Sequence, residues 1–576
     1  MNRQISVYVS LWLLCLGIMI ALTASSSAQT IISGDIAGTV TDPTGAALPN
    51  STVTLTSLDS GAVQTVTTDS TGNFRFPLLR PGAYRLQVAA TGFAAVTQTV
   101  NAVVGQVVSA NVRVSLKGTS ELVEVTGAAP LLETESANLT STYSPKQIEL
   151  TPNPGGDLTN YALSSPGVVL STGAGYGNFT ANGMPGTSNL FTVNGGDMND
   201  PYSNLNNSGS SNNMLGTNEI QELTIVNNGY TGQYGRAAGV NMNFTTKAGS
   251  NSFHGNAKWD WNGRYLNAND WFNNHTDTPR PFANSNQWGG SFGGPIVKNK
   301  LFFFFDSEGL RYVLPGGGTP VYIPTTQFGN AVLANIQASQ PNELATYQKM
   351  FQLYAGAPGA SAAVANPGTG GCGDLAANGT TLINGIAFGS GAAPCTATFR
   401  SEVNNLNIER LMSIRVDYNF SDKDRLNARY WQDRGTQPTF TDPINKAFNA
   451  LSNQPQDAGQ LTETHVFSSR LINQLIIGGF YYGAIFGVPN LPASEAVFPT
   501  EVGGLHNGGN NCTSFDGLLT CLGGEYSRYP SGRNVGQYQI VDDLSYSRGN
   551  HDLKFGVNFR RINFSTYRPA RNQTGV

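Results

Sequence analysis

Beyond Leu22 the chain has no long apolar run, so its mature part offers no segment that would cross a membrane as a helix. Charge is also scarce. Charged residues make up 12% of the chain, against roughly a quarter in ordinary globular proteins. Glycine (67 residues), asparagine and aromatics fill the gap, a profile that suits strands joined by long polar loops. No basic cluster is present, which excludes nucleic acid as a partner. His254, His275, His465, His506 and His551 are scattered without ligand spacing, so no metal is expected. Asp197-Met198-Asn199-Asp200 lacks the remaining oxygen ligands and the twelfth-position Glu of a calcium loop, and reads as a polar turn. Gly289-Gly290-Ser291-Phe292-Gly293 matches a nucleophile elbow in letters only, because it runs into Pro295 with no helix behind it. Gly173-Ala174-Gly175-Tyr176-Gly177 fails the dinucleotide pattern. No cofactor and no enzymatic chemistry is expected.

Cysteine is rare, with five in the chain. Arg3, the apolar Val7 to Leu22 and the small residues Ser26-Ser27-Ala28 read as a secretory signal over residues 1–28. Cys15 lies inside that apolar core between leucines, which argues against a lipoprotein anchor. In an exported chain the two local pairs, Cys372 with Cys395 and Cys512 with Cys521, read as disulfides that staple loops. Neither pair has the close spacing or His partners of a zinc site.

What the chain does contain is alternation. Ile414, Val416, Tyr418 and Phe420 alternate with polar residues, Ser421-Asp422-Lys423-Asp424 makes a turn, and Leu426, Ala428 and Tyr430 alternate again. Apolar residues on one face and charged ones on the other, in strands joined by tight turns, fit a membrane β-barrel whose lumen is wet. Nine such strands are expected at about 253–262, 286–294, 301–312, 409–420, 424–434, 459–467, 471–486, 534–546 and 552–565. Short turns and long loops alternate strictly between them, as they do between the periplasmic and external ends of a barrel. In the last strand Leu553, Phe555, Val557 and Phe559 are expected to face lipid, and a bulge is expected at Arg560-Arg561. The tryptophans between Trp259 and Trp288, with Phe302 to Phe305, are expected to contribute to an aromatic girdle.

Two further segments precede the barrel. Residues 31–118 show short alternating strands with a turn about every ten residues, including Asp42-Pro43-Thr44-Gly45 and Asp69-Ser70-Thr71-Gly72-Asn73. This is the pattern of a β-sandwich. Residues 119–246 hold ten acidic residues against Lys146 and Arg236, a net charge of −8, with 12 Asn among residues 181–228. Strand-like runs such as Phe191-Thr192-Val193 and Leu223-Thr224-Ile225-Val226 point to a folded unit with long loops.

Several motifs carry a family resemblance. The first segment resembles the carboxypeptidase regulatory-like, transthyretin-type domain of the carbohydrate-binding-like fold group. Glu121-Leu122-Val123-Glu124-Val125-Thr126-Gly127 is similar to the start of a TonB-dependent receptor plug. Phe191-Thr192-Val193-Asn194-Gly195-Gly196-Asp197 is similar to its central strand and turn. Ile220-Gln221-Glu222-Leu223 through Tyr234-Gly235-Arg236-Ala237-Ala238-Gly239 resembles its closing segment. TTKAGSNSFHG, from Thr245 to Gly255, is similar to the passage into the first barrel strand. Gly289 to Pro295 followed by Leu301 to Phe305 resembles the Oar-like branch.

The resemblance implies a mainly β chain. It would comprise a signal peptide (1–28), a sandwich (31–118), an α+β plug (119–248) and the first nine or so strands of an antiparallel transmembrane barrel (249–576). A plugged barrel needs about 22 strands, so the chain reads as the N-terminal part of a longer protein. The resemblance also implies a place in the outer membrane of a Gram-negative cell, with the sandwich in the periplasm. A TonB-type energising protein would pull on the plug near Glu121, Leu122, Val123, Glu124, Val125 and Thr126. The implied activity is uptake of an extracellular solute such as an oligosaccharide, peptide or chelate. The alternative is a surface adhesin or carbohydrate-binding protein on the same scaffold, which the resemblance of the sandwich to carbohydrate-binding folds favours. Trp271, Phe272, Tyr347 and Tyr354 are the candidate ligand-contact aromatics in the loops.

Overall fold

The computed structural model describes residues 33–117, 123–126, 139–170, 179–206, 208–228, 235–275, 277, 279–315, 320–366, 380–389, 391–401, 403–468, 470–498, 519–520, 522, 530–548 and 551–567. The signal segment therefore lies outside the described residues.

The first unit is a sandwich of two sheets. Gly34–Thr41 pairs antiparallel with Asn73–Leu79 and parallel with Val107–Ser109 and Val112–Arg113. The second sheet runs Val63–Thr67, Thr52–Ser57, Gly82–Ala89, Val96–Ala102 and Val123–Thr126. Alternation sets the faces: Tyr84, Leu86 and Val88 are buried while Arg85 and Gln87 are exposed. Leu55, Leu86, Phe76 and Ile36 form the centre of the core at 0–1% exposure, each such side chain being worth about 1.5–3 kcal/mol. The two aspartate turns close as the sequence suggests. Asp42 accepts from the Thr44 and Ala46 amides, and Asp69 from those of Thr71 and Asn73.

The plug is a five-stranded mixed sheet in the order Leu139–Tyr143, Ile220–Asn228, Asn241–Thr246, Leu190–Val193, Gly196–Asp197. Asn194 and Gly195 both have positive φ (45° and 77°). They make the tight Asn-Gly turn that a two-residue hairpin requires. Phe191, Leu223, Ile225, Met242 and Phe244 are buried at its core.

The third unit is one antiparallel sheet of nine long strands. These are His254–Gly263, Asn284–Val297, Leu301–Pro315, Asn404–Asn419, Asp424–Phe440, Gln456–Ser468, Leu471–Gly487, Ser531–Arg548 and His551–Tyr567. Every expected strand is present. A tenth, Ala450–Ser452, continues the line of Gln456–Ser468 beyond a break at 453–455. There Gln454 has positive φ (39°) and Pro455 has no N–H to give the ladder. Among the described residues the first and last strands do not pair with each other.

Side-chain direction follows strand parity. Glu308, Glu409, Arg429, Gln460, Gln539 and Arg560 all reach the plug, so their parity faces the lumen. The opposite parity carries exposed apolar residues: Trp259, Phe292, Phe305, Ile414, Tyr430, Leu461, Ile477, Tyr538, Ile540 and Val557. Two expectations need correction. Phe302 and Phe304 point into the lumen at 1% exposure, so only Phe303 and Phe305 of that run face outward. Phe303 packs with Phe292, and Phe292 stacks on Phe253, giving an outward aromatic cluster at the periplasmic end. No bulge exists at Arg560-Arg561, since Tyr538↔Arg561 and Gln539↔Arg560 continue an unbroken register. The polarity changes there because Arg561 and Asn563, which share the outward parity, lie past the apolar band of Leu553 to Phe559.

The external loops are not plain polar chain. The loop after Leu301–Pro315 holds helices Thr326–Ser339 and Leu344–Ala355 and two small sheets. Thr325 caps the first helix by accepting from the Phe328 amide, and Phe328, Ala331 and Val332 form its buried stripe. Ile444, Phe448, Phe498, Leu519 and Leu522 from two other loops join the same apolar cluster as Tyr354 and Phe399. The loops therefore pack on one another as a cap.

Candidate functional site at the plug and barrel interface

All nine long strands touch the plug, so the sheet wraps around it. Lys258 Nζ donates to Thr217 Oγ1 at 2.8 Å, Gln287 lies against Gly156, and Tyr312 donates to Ser211 O at 2.8 Å. Four arginines of the wall engage it. Arg429 Nη2 lies 2.5 Å from Glu219 Oε1, with both side chains 5% exposed. Arg560 Nη1 lies 2.7 Å from Asp197 Oδ2, which also pairs with Arg236 of the plug at 3.0 Å. Arg533 Nε donates to Asp200 at 3.0 Å. Arg415 Nη1 donates to the carbonyl and hydroxyl of Thr246, each at 3.0 Å. The Asp197 to Asp200 turn is thus taken up by arginines.

The wall also carries acids here. Glu308 accepts from the Asn218 amide, Asp306 from Asn218 Nδ2 at 2.5 Å, and Glu409 from the Ser211 amide at 2.5 Å. Amide-rich wall residues reach the plug backbone: Gln539 accepts from Asp197 N at 2.9 Å, and Gln460 and Gln456 donate to Asn194 O and Ser208 O. No ladder of strand hydrogen bonds joins plug and wall among the described residues. Each neutral contact is thus a single bond of about 0.5–1.5 kcal/mol net that water can replace, and those to charged side chains are worth about 1.5–3 kcal/mol. The exception is apolar. Leu310, Leu411, Trp431 and Phe480 of the wall share one core with Phe244, Met242 and Leu215 of the plug.

The sandwich sits at the periplasmic end. Arg80 Nη1 pairs with Asp417 of the wall at 2.8 Å, Lys554 Nζ lies 3.7 Å from Asp35, and the Asn251 amide donates to Asp59 O at 2.8 Å. Val104 N donates to Glu222 Oε1 of the plug at 2.6 Å. Burial pushes the Glu222 carboxyl up to about 7, against the partial relief given by Val104 N–H and Thr224. Asp157, which caps the helix Leu158–Ser164, is pushed up to about 6 by the same cause.

A raised carboxyl binds its proton more tightly in the folded state, so its contribution is fully present below the unfolded value. It is lost as pH rises through the folded value. Plug stability is therefore expected to fall as pH rises from about 4.5 to about 7, the range over which Glu222 shifts. Urea midpoints across that range should flatten in Glu222→Gln.

Of the residues singled out in the sequence, Cys395 is buried and disulfide-bonded. Cys372, Cys512 and Cys521 lie outside the described residues, as do Glu121 and Leu122. Val123–Thr126 forms the edge strand of the sandwich, parallel to Val96 through Thr99. Trp271 and Phe272 stand on a short external helix at 66% and 71% exposure, with their rings edge to face at 5.0 Å. Tyr354 is corrected: at 1% exposure it is a core residue of the loop cap, and its hydroxyl donates to Thr520 O at 2.6 Å. Tyr347 is partly buried in the same cap. The structure thus separates the four aromatics into one exposed pair and one packed pair. It also brings Asp424, Glu463 and His465 together on the outward parity, with their donor atoms within 4.8 Å. Cross-strand register makes that group, which spacing along the chain does not show.

Comparison with known proteins gives matching domains in the same order. Residues 35–115 match the carboxypeptidase regulatory-like domain, 133–240 the TonB-dependent receptor plug domain, and 245–576 the outer membrane beta barrel domain. The TonB-dependent transporter Oar of Myxococcus xanthus is 29% identical over 261 residues, covering 44% of this chain and 24% of Oar. Among solved structures, the outer membrane transporter YddB of Escherichia coli is 10% identical, with a TM-score of 0.43 over 73% of this chain and 48% of YddB. The ferric enterobactin receptor PfeA of Pseudomonas aeruginosa is 12% identical, with a TM-score of 0.41 over 75% of this chain and 50% of PfeA. The match thus takes in about a quarter of the curated relative and about half of each solved one. With its barrel domain spanning more than half of it behind a TonB-dependent receptor plug, this chain belongs to the outer membrane β-barrel family and is a protein of the Gram-negative outer membrane.

Proposed function

We propose that the protein takes up an extracellular solute, an oligosaccharide, peptide or chelate, through its plugged barrel. A TonB-type energising protein would supply the pull from the periplasm, as the family's name implies. The observation that carries this reading is Val123–Thr126. It is a four-residue strand between sandwich and plug, held at a sheet edge by four register pairs only. An edge strand offers a row of unpaired backbone groups to a partner chain. Pulling it loads the plug, whose contacts with the wall are single bonds rather than a ladder. The exposed Trp271 and Phe272 give the external side a ring surface on which a solute can stack. The disulfide at Cys395 joins it to Cys372, and Cys512 joins Cys521, in loops that face the medium.

The test is binding of the periplasmic domain of the energising protein to the purified receptor. Val125→Pro removes one N–H and fixes φ in the strand, so complex formation should be lost while the barrel stays folded. Unchanged binding by Val125→Pro would remove the handle from the proposal. Surface binding of a solute that never leads to gradient-dependent uptake would favour the adhesin.

A further inference from the structure

A cavity of about 300 Å³ lies where sandwich, plug and wall meet on the periplasmic side. Its walls take Arg80 from the sandwich, Thr245 and Thr246 from the plug, and Arg415 and Arg425 from the barrel. Two of these arginines share one carboxylate. Asp417 pairs with Arg415 at 3.0 Å and with Arg80 at 2.8 Å. Arg425 has no carboxylate within ion-pair distance among the described residues, and its Nε is buried without an acceptor. Among the described residues its hydrogen-bond partner is neutral: with the amide oxygen turned toward it, Gln64 accepts from Nη2 at 2.9 Å and from Nη1 at 3.3 Å. Asp59 and His254 also line the cavity, so with Asp417 behind it two carboxylates are set against three guanidinium groups there.

Two more polar atoms of the lining lack partners. Thr245 Oγ1 and Gln474 Oε1 are buried without a hydrogen bond, in residues 7% and 6% exposed. Gln474 is fixed in that orientation by its Nε2, which donates to Thr464 Oγ1 at 3.3 Å. A buried guanidinium without a counter-charge is costly, and proteins satisfy it with an oxyanion or a carboxylate. The lining thus asks for one group that accepts from Arg425 and Thr245 and donates to Gln474.

We infer that this cavity binds a small oxyanion that retains a proton, inorganic phosphate being the species that fits. Its oxygens accept from Arg425 Nε and Thr245 Oγ1, and its P–O–H donates to Gln474 Oε1. Sulfate, which has no proton at neutral pH, meets two of the three partners. The site ties the plug to the barrel in the resting protein and does not depend on transport.

The test is calorimetric titration of inorganic phosphate into detergent-solubilised protein at constant ionic strength, with sulfate in parallel. Wild type should bind phosphate saturably and more tightly than sulfate. Arg425→Gln should weaken phosphate by roughly tenfold or more, the loss expected for a charge-assisted bond. Gln64→Glu gives Arg425 an internal carboxylate, so it should abolish phosphate binding while leaving the fold intact, which covers the case in which Arg425→Gln misfolds. Absence of saturable phosphate binding to wild type, equal affinity for sulfate, or full phosphate binding by Gln64→Glu would each overturn the inference.

Discussion

Arg429→Met is expected to weaken docking of the plug by about 3–5 kcal/mol, the usual result of leaving one member of a buried ion pair without its partner. Both Arg429 and Glu219 are 5% exposed at the side chain, and their contact at 2.5 Å joins wall to plug. The charge left behind, Glu219, sits close to Glu308 and Asp306, both buried wall acids. Replacing both partners, as Arg429→Met with Glu219→Leu, should restore most of the stability, because a packed apolar pair of similar volume is often as stable as the ion pair. Protease resistance of the plug against urea, read for the four members of the cycle, separates the pair term from the rest. Additive losses would show that the contact holds nothing.

Phe244→Ala is the second large effect, at about 3–5 kcal/mol for a fully buried phenylalanine. Phe244 is 0% exposed on the central plug strand, between Leu223 on one side and Val193 on the other. The core it occupies includes Leu310, Leu411 and Phe480 of the wall, so the cavity opens at the seam between plug and barrel. The wall keeps its own ladder of strand hydrogen bonds. The variant should therefore lose the plug at lower urea while the sheet remains, giving two transitions. Loss of both in a single step would mean that plug and wall fold as one unit.

Much of this was legible because a barrel strand has period two and its ends are marked by turns. Ile414 to Tyr430 shows both signals, and its two strands and turn lie where the alternation puts them. Four consecutive phenylalanines carry no such phase, so Phe302 and Phe304 could not be assigned to the lumen from sequence. The loop cap was missed for a related reason. Phe328, Ala331 and Val332 make a short helical stripe that packs on Phe388, while Met350 and Tyr354 of the next helix meet Phe448 and Phe498 from two other loops. Lumenal acids such as Glu409 look like any wet-face residue until the plug is seated against them. Val123 to Thr126 forms a strand whose place on the sandwich depends on a parallel pairing with Val96 to Thr99 that no local pattern encodes. His465 and Asp424 are 41 residues apart and meet only through register.

The central claim is that the plug leaves the wall when its N-terminal handle is pulled. Ser211 reports on this directly, since it is 3% exposed and its amide is held by Glu409. The measurement is maleimide labelling of Ser211→Cys in living cells, with and without a protonophore, against the same experiment in Val125→Pro. The account predicts labelling in energised cells that falls when the gradient is collapsed and is absent in Val125→Pro. Labelling that is the same in all three would contradict it.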